Sequence, residues 1–497
     1  MLPRHLLLLS ILSLSPACGG GSDDPPATPP PGETATGSET SGADATDTPP
    51  PPPTCEDESD ESFVILFGYK GVIPGVNIDE FDLNFMLPQQ KFKPVNITNF
   101  SLKEEGTTCA YGCLVDDSLK YIAVNQQPPD QDGFDFKMGL FNNCLEAKIL
   151  KGLTLENKAH FAFATHYIYF SEKGNCSNAS CQYKISRLDL QDPTKTDVLI
   201  PFFPPADDPD WIGGHAIYKG RFTVSPDGES IVLLSPTIRS QKIYLWSKGT
   251  LHDVDYLCEN FQNDQCIGTG SQYSDSDPVA ISPDSSNVVM FTVNDRSLQL
   301  HRYSTLNKDD KGRLTILSVP PNEGDYRSLA CDVRKDDPWK PVEVAGKPVF
   351  TPDGKRLLFI GKSLCPAGSK GKAETDILSM DPARIDKLTP LVESDLVNIT
   401  KNAKGDIPDN TELSALVLAP DGKRIIFTAT PMLDSQFKPI KETDLRQMDG
   451  GEIYMTSICG GQKIQLTSSV AYKALGPQAL AVPDLKACPN SPLVPKK

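Results

Sequence analysis

Short apolar runs alternate with polar breaks rich in Gly, Pro, Asp and Ser along most of this chain. Runs of this length, bounded by turn residues, predict strands rather than helices. Four of them are variants of one phrase. They read Val224-Ser225-Pro226-Asp227-Gly228-Glu229-Ser230-Ile231-Val232-Leu233-Leu234, Ile281-Ser282-Pro283-Asp284-Ser285-Ser286-Asn287-Val288-Val289-Met290-Phe291, Phe350-Thr351-Pro352-Asp353-Gly354-Lys355-Arg356-Leu357-Leu358-Phe359 and Leu418-Ala419-Pro420-Asp421-Gly422-Lys423-Arg424-Ile425-Ile426-Phe427. Their prolines lie 57, 69 and 68 residues apart. A phrase that recurs in this way predicts a repeat architecture.

The physics of the phrase is local. Pro presets φ at the first corner, Asp folds back onto backbone N–H groups, and Gly takes the positive-φ corner without steric cost. Asp-Gly between apolar runs is a hairpin signal. The run after each turn is almost continuously Ile, Val, Leu or Phe, which suits an inner strand buried on both faces. Together these features predict an all-β fold, a single β-propeller, in which such sheets stack around a central axis. A four-stranded blade needs about 40–50 residues. The wider spacing here predicts long loop insertions. Two packed β-sandwiches are the competing all-β arrangement, but a sandwich does not call for a repeated turn.

These residues resemble the TolB-like, or WD40-like PD40, propeller repeat. The resemblance extends to the strands beyond the turn. Lys242-Ile243-Tyr244-Leu245-Trp246, Thr375-Asp376-Ile377-Leu378-Ser379-Met380-Asp381 and Glu452-Ile453-Tyr454-Met455-Thr456 fit its next strand. Leu396-Val397-Asn398-Ile399-Thr400 and Lys463-Ile464-Gln465-Leu466-Thr467 fit the closing one. Ser285 replaces Gly in the second copy, and a looser turn is expected there. The match covers roughly residues 220–470.

Weaker copies flank this core. Leu114-Val115-Asp116-Asp117-Ser118-Leu119-Lys120-Tyr121-Ile122-Ala123-Val124 keeps the spacing but lacks Pro. His160–Ala164 leading to Tyr167–Phe170 is fainter. Ala479-Leu480-Ala481-Val482-Pro483-Asp484 begins a further copy, and Phe63–Phe67 is a strand with no turn before it. The expected closure therefore joins 479–484 to strands from about 62–100. That count gives seven blades, the favoured reading. Six result if the N-terminal strands decorate another blade.

The N-terminus reads as a signal peptide over residues 1–17. Arg4 precedes an apolar stretch from Leu6 to Leu14, and small residues lead to Cys18. The stretch is too short to span a bilayer. Ser15-Pro16-Ala17-Cys18 resembles a bacterial lipobox, although Leu14 lies four residues before the cysteine rather than three. The resemblance implies acylation of Cys18. Two or three acyl chains anchor a protein stably where one is marginal. Gly19 after the cysteine favours the outer membrane by the same analogy. Residues 18–61 read as a disordered tether, rich in Pro, Thr, Gly and acids, without Lys, Arg or aromatic residues. The expected propeller spans 62–490, and 491–497 form a tail.

The net charge of −17 is concentrated in that tether. It holds Asp23, Asp24, Glu33, Glu39, Asp44, Asp47, Glu56, Asp57, Glu58, Asp60 and Glu61. Nucleic-acid binding is not expected, because no basic patch or aromatic-plus-Arg module is present. Cys18 aside, there are 12 cysteines, which suits an oxidising compartment. The candidate pairs are Cys109/Cys113, Cys176/Cys181, Cys258/Cys266, Cys331/Cys365 and Cys459/Cys488. Cys55 and Cys144 are left over. Spacing alone does not fix connectivity.

Candidate chemistry is sparse. A serine-peptidase elbow, Gly-x-Ser-x-Gly, is absent. Asp130, Asp132 and Asp135 have calcium-like spacing but no downstream Glu. Asp207, Asp208 and Asp210 form a second acidic turn. His215 lies ahead of a turn motif, near the expected ring mouth. His160 and His166 lie in strand-like runs. Pro226, Asp227, Gly228, Pro283, Asp284, Pro352, Asp353, Gly354, Pro420, Asp421 and Gly422 read as structural turn residues. No cofactor is expected, with calcium the one exception held open. The favoured function is a membrane-anchored, non-catalytic scaffold that binds an envelope protein or cell-wall polymer, with oligomeric state open. The alternative is a propeller enzyme, of lyase, lactonase or glycosidase type, with a carboxylate or calcium site at the central mouth.

Overall fold

In the computed structural model, the described residues lie between 63 and 482. Residues 1–62, 483–497 and loop segments, chiefly 71–80, 97–112, 127–133, 206–219, 237–240, 257–278, 319–340, 364–373, 387–394, 406–410, 432–451 and 468–472, lie outside the description. The described residues belong to a compact unit, Pro52–Lys497.

The strands form seven blades. The first takes β1 (Phe63–Lys70), β2 (Phe81–Met86) and β3 (Val95–Asn96). The second has β4 (Cys113–Val115), β5 (Tyr121–Gln126), β6 (Phe134–Phe141) and the start of β7 (Ala147–Ala164). The rest of β7 opens the third, with β8 (Tyr167–Ser177), β9 (Ser180–Asp189) and β10 (Thr196–Phe203). The fourth has β11 (Thr223–Val224), β12 (Ser230–Pro236), β13 (Gln241–Ser247) and β14 (Thr250–Tyr256). The fifth has β15 (Val279–Ile281), β16 (Asn287–Asn294), β17 (Ser297–Ser304) and β18 (Lys311–Ser318). The sixth has β19 (Glu343–Phe350), β20 (Leu357–Ser363), β21 (Glu374–Met380) and β22 (Leu396–Asn398). The seventh has β24 (Thr411–Leu418), β25 (Arg424–Pro431), β26 (Glu452–Ser457) and β27 (Gln462–Gln465), edged by β23 (Lys404–Gly405) in parallel. β28 (Lys473–Ala481) then pairs antiparallel with β1 and completes the first blade. The ring therefore closes with seven blades, and its closing strand is Lys473–Ala481 rather than 479–484.

The core explains why the apolar runs are continuous. Seven apolar clusters lie one between each pair of neighbouring blades. Each strand after the turn divides its alternate side chains between two of them, because successive side chains of a strand point to opposite faces. Ile231 and Leu233 pack towards the third blade, and Val232 towards the fifth. Leu357 and Phe359 face the fifth blade, while Leu358 and Ile360 face the seventh. Phe63, Ile65 and Phe67 face the seventh blade, while Val64 and Leu66 face the second. This strand is second in its sheet, not innermost. The innermost positions go to the strands before the turns.

The turns themselves show why four different sequences make one shape. Gly228, Gly354 and Gly422 have positive φ and donate their N–H to Ser225, Thr351 and Ala419 at 2.9, 2.8 and 2.9 Å. Ser285 adopts the same conformation, φ 58°, and its N–H reaches the Ser282 carbonyl at 2.8 Å. The second turn is therefore not looser. Its hydroxyl explains the substitution, because Ser285 Oγ accepts the Asp227 N–H of the preceding blade's turn at 3.2 Å. Asp116 and Ser118 exchange the roles that Ser225 and Asp227 play elsewhere. Asp116 Oδ1 accepts the N–H groups of Lys120 and Tyr121, Ser118 Oγ donates to Asp116, and Leu119 takes the positive-φ corner, φ 52°.

A Cβ on Gly228 would sit 2.6 Å from Tyr169 Oη at φ +75°. Gly228→Ala is expected to cost on the order of 2 kcal/mol or more. Ser285→Ala, which loses only the bond to Asp227, is expected to cost about 1 kcal/mol. Urea unfolding measures both, and a Gly228→Ala midpoint equal to that of the parent would contradict the turn geometry.

Candidate functional site: the central channel

The first strands of the blades (β28, β4, the end of β7, β11, β15, β19 and β24) lie against one another in succession and surround the axis. Between β28 and β4 the seal is a side chain. Gln478 accepts the Val115 N–H at 3.3 Å and donates to the Val115 carbonyl at 3.2 Å. The turns after these strands sit at one end of the channel, hereafter the turn face. The connections from second to third strand, and from blade to blade, join at the opposite end, the insertion face.

Inner strands β28 and β7 shift register, and β19 and β24 bulge with a residue at positive φ. β19 bulges between Ala345 and Val349, with Gly346 at φ 74°. β24 bulges between Ser414 and Val417, with Ala415 at φ 51°. Bulges re-aim side chains and recur beside functional sites. The β19 bulge carries Lys347, whose charge acts on Asp117 of the second blade and on His160 of the third. The sixth and second blades are not neighbours in the ring. The charge of Lys347 therefore reaches two blades that its own blade does not adjoin.

Asp117 is solvent-accessible, yet desolvation raises its pKa, Asp116 raises it further, and Lys347 opposes both. His160 is held neutral. Burial lowers its pKa to about 4, with smaller lowering from Arg221 and Lys347 and an opposing effect from its hydrogen bond with the Phe222 carbonyl. Its Nε2 lies 3.1 Å from that oxygen, and the ring stands edge-on to Phe222 at 4.9 Å. His160 therefore ties the third blade to the start of the fourth. Lys347 is thus within electrostatic reach of the Asp117 carboxyl and of the neutral His160 imidazole, and Arg221 within reach of His160. Such a set can bind a polar ligand by complementary charge.

The carboxylates of the repeat turns are committed locally. Asp227, Asp284, Asp353 and Asp421 each accept the N–H two residues ahead, at 3.0, 3.1, 3.1 and 2.8 Å. The Ser225 and Thr351 hydroxyls add bonds of 2.5 and 2.6 Å. Hydrogen bonds, led by the Ser282 and Thr351 hydroxyls, lower the pKa values of Asp284 and Asp353. In the last turn Ala419 has no hydroxyl, and Arg424 Nε donates to Asp421 instead.

Other candidates fall elsewhere. Cys176 and Cys181 are bonded across β8 and β9. Cys144 and Cys459 are also disulfide-bonded, so Cys144 is not left over. Cys113 starts β4, opposite Val124. Cys18, Cys55, Cys109, Cys258, Cys266, Cys331, Cys365, Cys488, Asp130, Asp132, Asp207, Asp208, Asp210 and His215 lie outside the described residues. Asp135 pairs with Gln126 in the sheet. Among the described residues, no three His, Cys, Asp or Glu side chains form a group that could hold a metal ion. His166 is in the turn between β7 and β8, against the Tyr167 ring at 4.0 Å. The sequence reading missed Lys347 and Asp117. Gly346-Lys347-Pro348 inside a strand was the available signal, since Gly and Pro within a strand mark bulges.

No protein-family model matches the chain, and no curated protein matches it. Solved structures do. TolB from Acinetobacter baumannii is 13% identical, with 84% of this chain and 82% of that one covered at a TM-score of 0.37. A protein of unknown function from Desulfotomaculum acetoxidans is 12% identical, covering 84% and 99% at 0.41. A provisionally assigned 6-phosphogluconolactonase from Bacteroides uniformis is 11% identical, covering 84% and 100% at 0.37. At these scores the likenesses do not bear on what this chain binds.

Lys347→Met is expected to raise the pKa values of both Asp117 and His160, since the lysine lowers both. NMR titration of the two side chains measures this, and unmoved values would show that the Lys347 charge does not reach them. The neutral His160 also sets a pH dependence. Its folded pKa is about 4 against an ordinary 6.5, so the unfolded chain binds the proton more readily. Stability is then complete above pH 6.5 and falls between pH 6.5 and 4, by up to about 3 kcal/mol. Thermal unfolding across this range is expected to show the slope in the parent and to lose it in His160→Gln.

Proposed function

We propose that this chain is an exported lipoprotein, acylated at Cys18, whose propeller is a non-catalytic binding scaffold in the cell envelope, with the outer membrane the favoured site. The observation that carries the scaffold reading is the local commitment of the repeat-turn side chains. Asp227, Asp284, Asp353 and Asp421 serve their own turns, which suits a rigid platform that presents loops. The signal sequence, acidic tether and cysteine content support export. The partner class is an envelope protein or a cell-wall polymer.

One observation favours a second reading, a propeller enzyme with a central carboxylate. The pKa of Asp117 is raised by desolvation against the lowering charge of Lys347, and groups with shifted pKa values are candidate acids or bases.

Cross-linking capture of the full-length protein from its own envelope, beside a Cys18→Ser control, tests the first reading. One dominant envelope component, lost in the control and retained in Asp117→Asn, is the expected result. Hydrolysis or elimination of a small substrate by the purified propeller, abolished in Asp117→Asn, would replace the scaffold by the enzyme.

A further inference from the structure

The second and third blades share β7, and they part at one residue. Lys158 alone pairs on both sides of β7, with Phe134 of β6 and with Glu172 of β8. From this fork a row of charges runs outward across the third blade. Lys158 pairs with Glu172, and Glu172 pairs with Lys184 of β9. Both lysines donate to the one carboxylate, Lys158 to Oε1 and Lys184 to Oε2. Side-chain exposure rises along the row, from 9% at Lys158 through 26% at Glu172 to 43% at Lys184. The row is therefore closed at the fork and open towards the rim.

The next row towards the turn face is Phe161, Phe170, Ser186 and Val198. Paired residues share a face of the sheet, and residues two apart in a strand return to it. Glu172, Phe170 and Ile168 of β8 thus lie on one side with Lys184, Ser186 and Leu188 of β9. Ile168, Phe170 and Leu188 belong to the apolar cluster between the second and third blades, so this side faces the second blade. Lys158 Nζ lies 4.9 Å from the centre of the Phe170 ring. Ser186 is 1% exposed, and its Oγ is buried with no hydrogen-bond partner.

Two things on this face are out of balance. Burial raises the pKa of Glu172, but the bonds and charges of Lys158 and Lys184 bring it below the ordinary value, so the carboxyl is ionised. Two ammonium groups against one carboxylate leave one positive charge in excess, and buried charge is costly unless it is matched. The Ser186 hydroxyl is the second, since buried polar groups are as a rule hydrogen-bonded. A monovalent oxyanion answers both, cancelling the excess charge and accepting the Ser186 O–H. A dianion would leave the opposite excess. The Phe170 ring beside the charges suits a ligand with an apolar end.

We propose that the fork between the second and third blades binds a small monocarboxylate, with Lys158 and Lys184 as its counter-charges, Ser186 as its hydroxyl donor and Phe170 against its apolar end. Glu172 holds the two ammonium groups side by side and keeps their combined charge to that of one anion. The ligand enters from the rim, past Lys184 and the exposed Val198.

Titration of butyrate into the purified full-length protein, at constant ionic strength with chloride as the balancing salt, tests this. The Nζ resonances of Lys158 and Lys184 are followed by NMR. A saturable shift is expected, with affinity about ten-fold weaker in Lys184→Met and in Ser186→Ala, each of which removes one bond to a charged group. Glu172→Gln removes the competing carboxylate and is expected to tighten binding. Ser186→Ala changes one buried atom and Lys184 is partly exposed, so both variants are expected to keep the parent's unfolding midpoint within a few degrees. No saturable shift beyond that given by chloride, or an affinity unchanged in folded Ser186→Ala, would overturn the site. Phosphate dianion binding as tightly as butyrate at mildly alkaline pH would overturn the assignment of a monocarboxylate.

Discussion

The pairing of β28 with β1 is the constraint on which the rest of the molecule depends. Each blade buries both faces only because it has neighbours on both sides, and a linear stack would leave two large apolar sheets in water. The residues at stake are Phe63, Ile65 and Phe67 on one side and Val64 and Leu66 on the other, all at 1% exposure or less. Each such side chain contributes about 1.5–3 kcal/mol when removed from water. Closing the ring with a strand from the far end of the chain buries both interfaces at once. It also gives β1 an inner partner, so the sheet has no unpaired strand at the axis.

The architecture was legible because it is written twice. The turn phrase marks where each hairpin bends, and the uninterrupted apolar run marks a strand sandwiched between two blades. The first two propeller strands of each repeat therefore stand out. Details failed where one chemical group stands in for another. Ser285 reads as an imperfect glycine, but its backbone adopts the same φ and its hydroxyl bonds the neighbouring turn. Asp116 and Ser118 look like a degraded motif because their side chains have exchanged tasks. A pattern of residue types hides such exchanges, since the turn requires an acceptor and a hydroxyl rather than a fixed order. The 18-residue β7, which continues from the second blade into the third, was not legible either, because no Pro-Asp-Gly turn phrase marks where one blade passes into the next.

The channel was less legible. Its walls come from strands far apart in the chain, so the charge of Lys347 reaches Asp117 and His160 only after the ring is closed. Nothing in their sequence neighbourhoods links them. The turn face, by contrast, is set by local bonds and by contacts between consecutive turns, such as Gly422 against Pro352. The molecule thus has one face built by short-range chemistry and a centre built by long-range topology. Mutations in a turn should reach no further than its own blade and the adjoining one, while a loss at the closure should spread to both neighbours of the first blade.

Hydrogen–deuterium exchange at β1 and β28 measures the closure most directly. If strands from the two ends of the ring form the first blade together, amides of Phe63–Lys70 and Lys473–Ala481 will exchange as slowly as those of β20, in the middle of the sixth blade. Exchange at the rate of frayed termini, with β20 still protected, would contradict a ring closed by these strands.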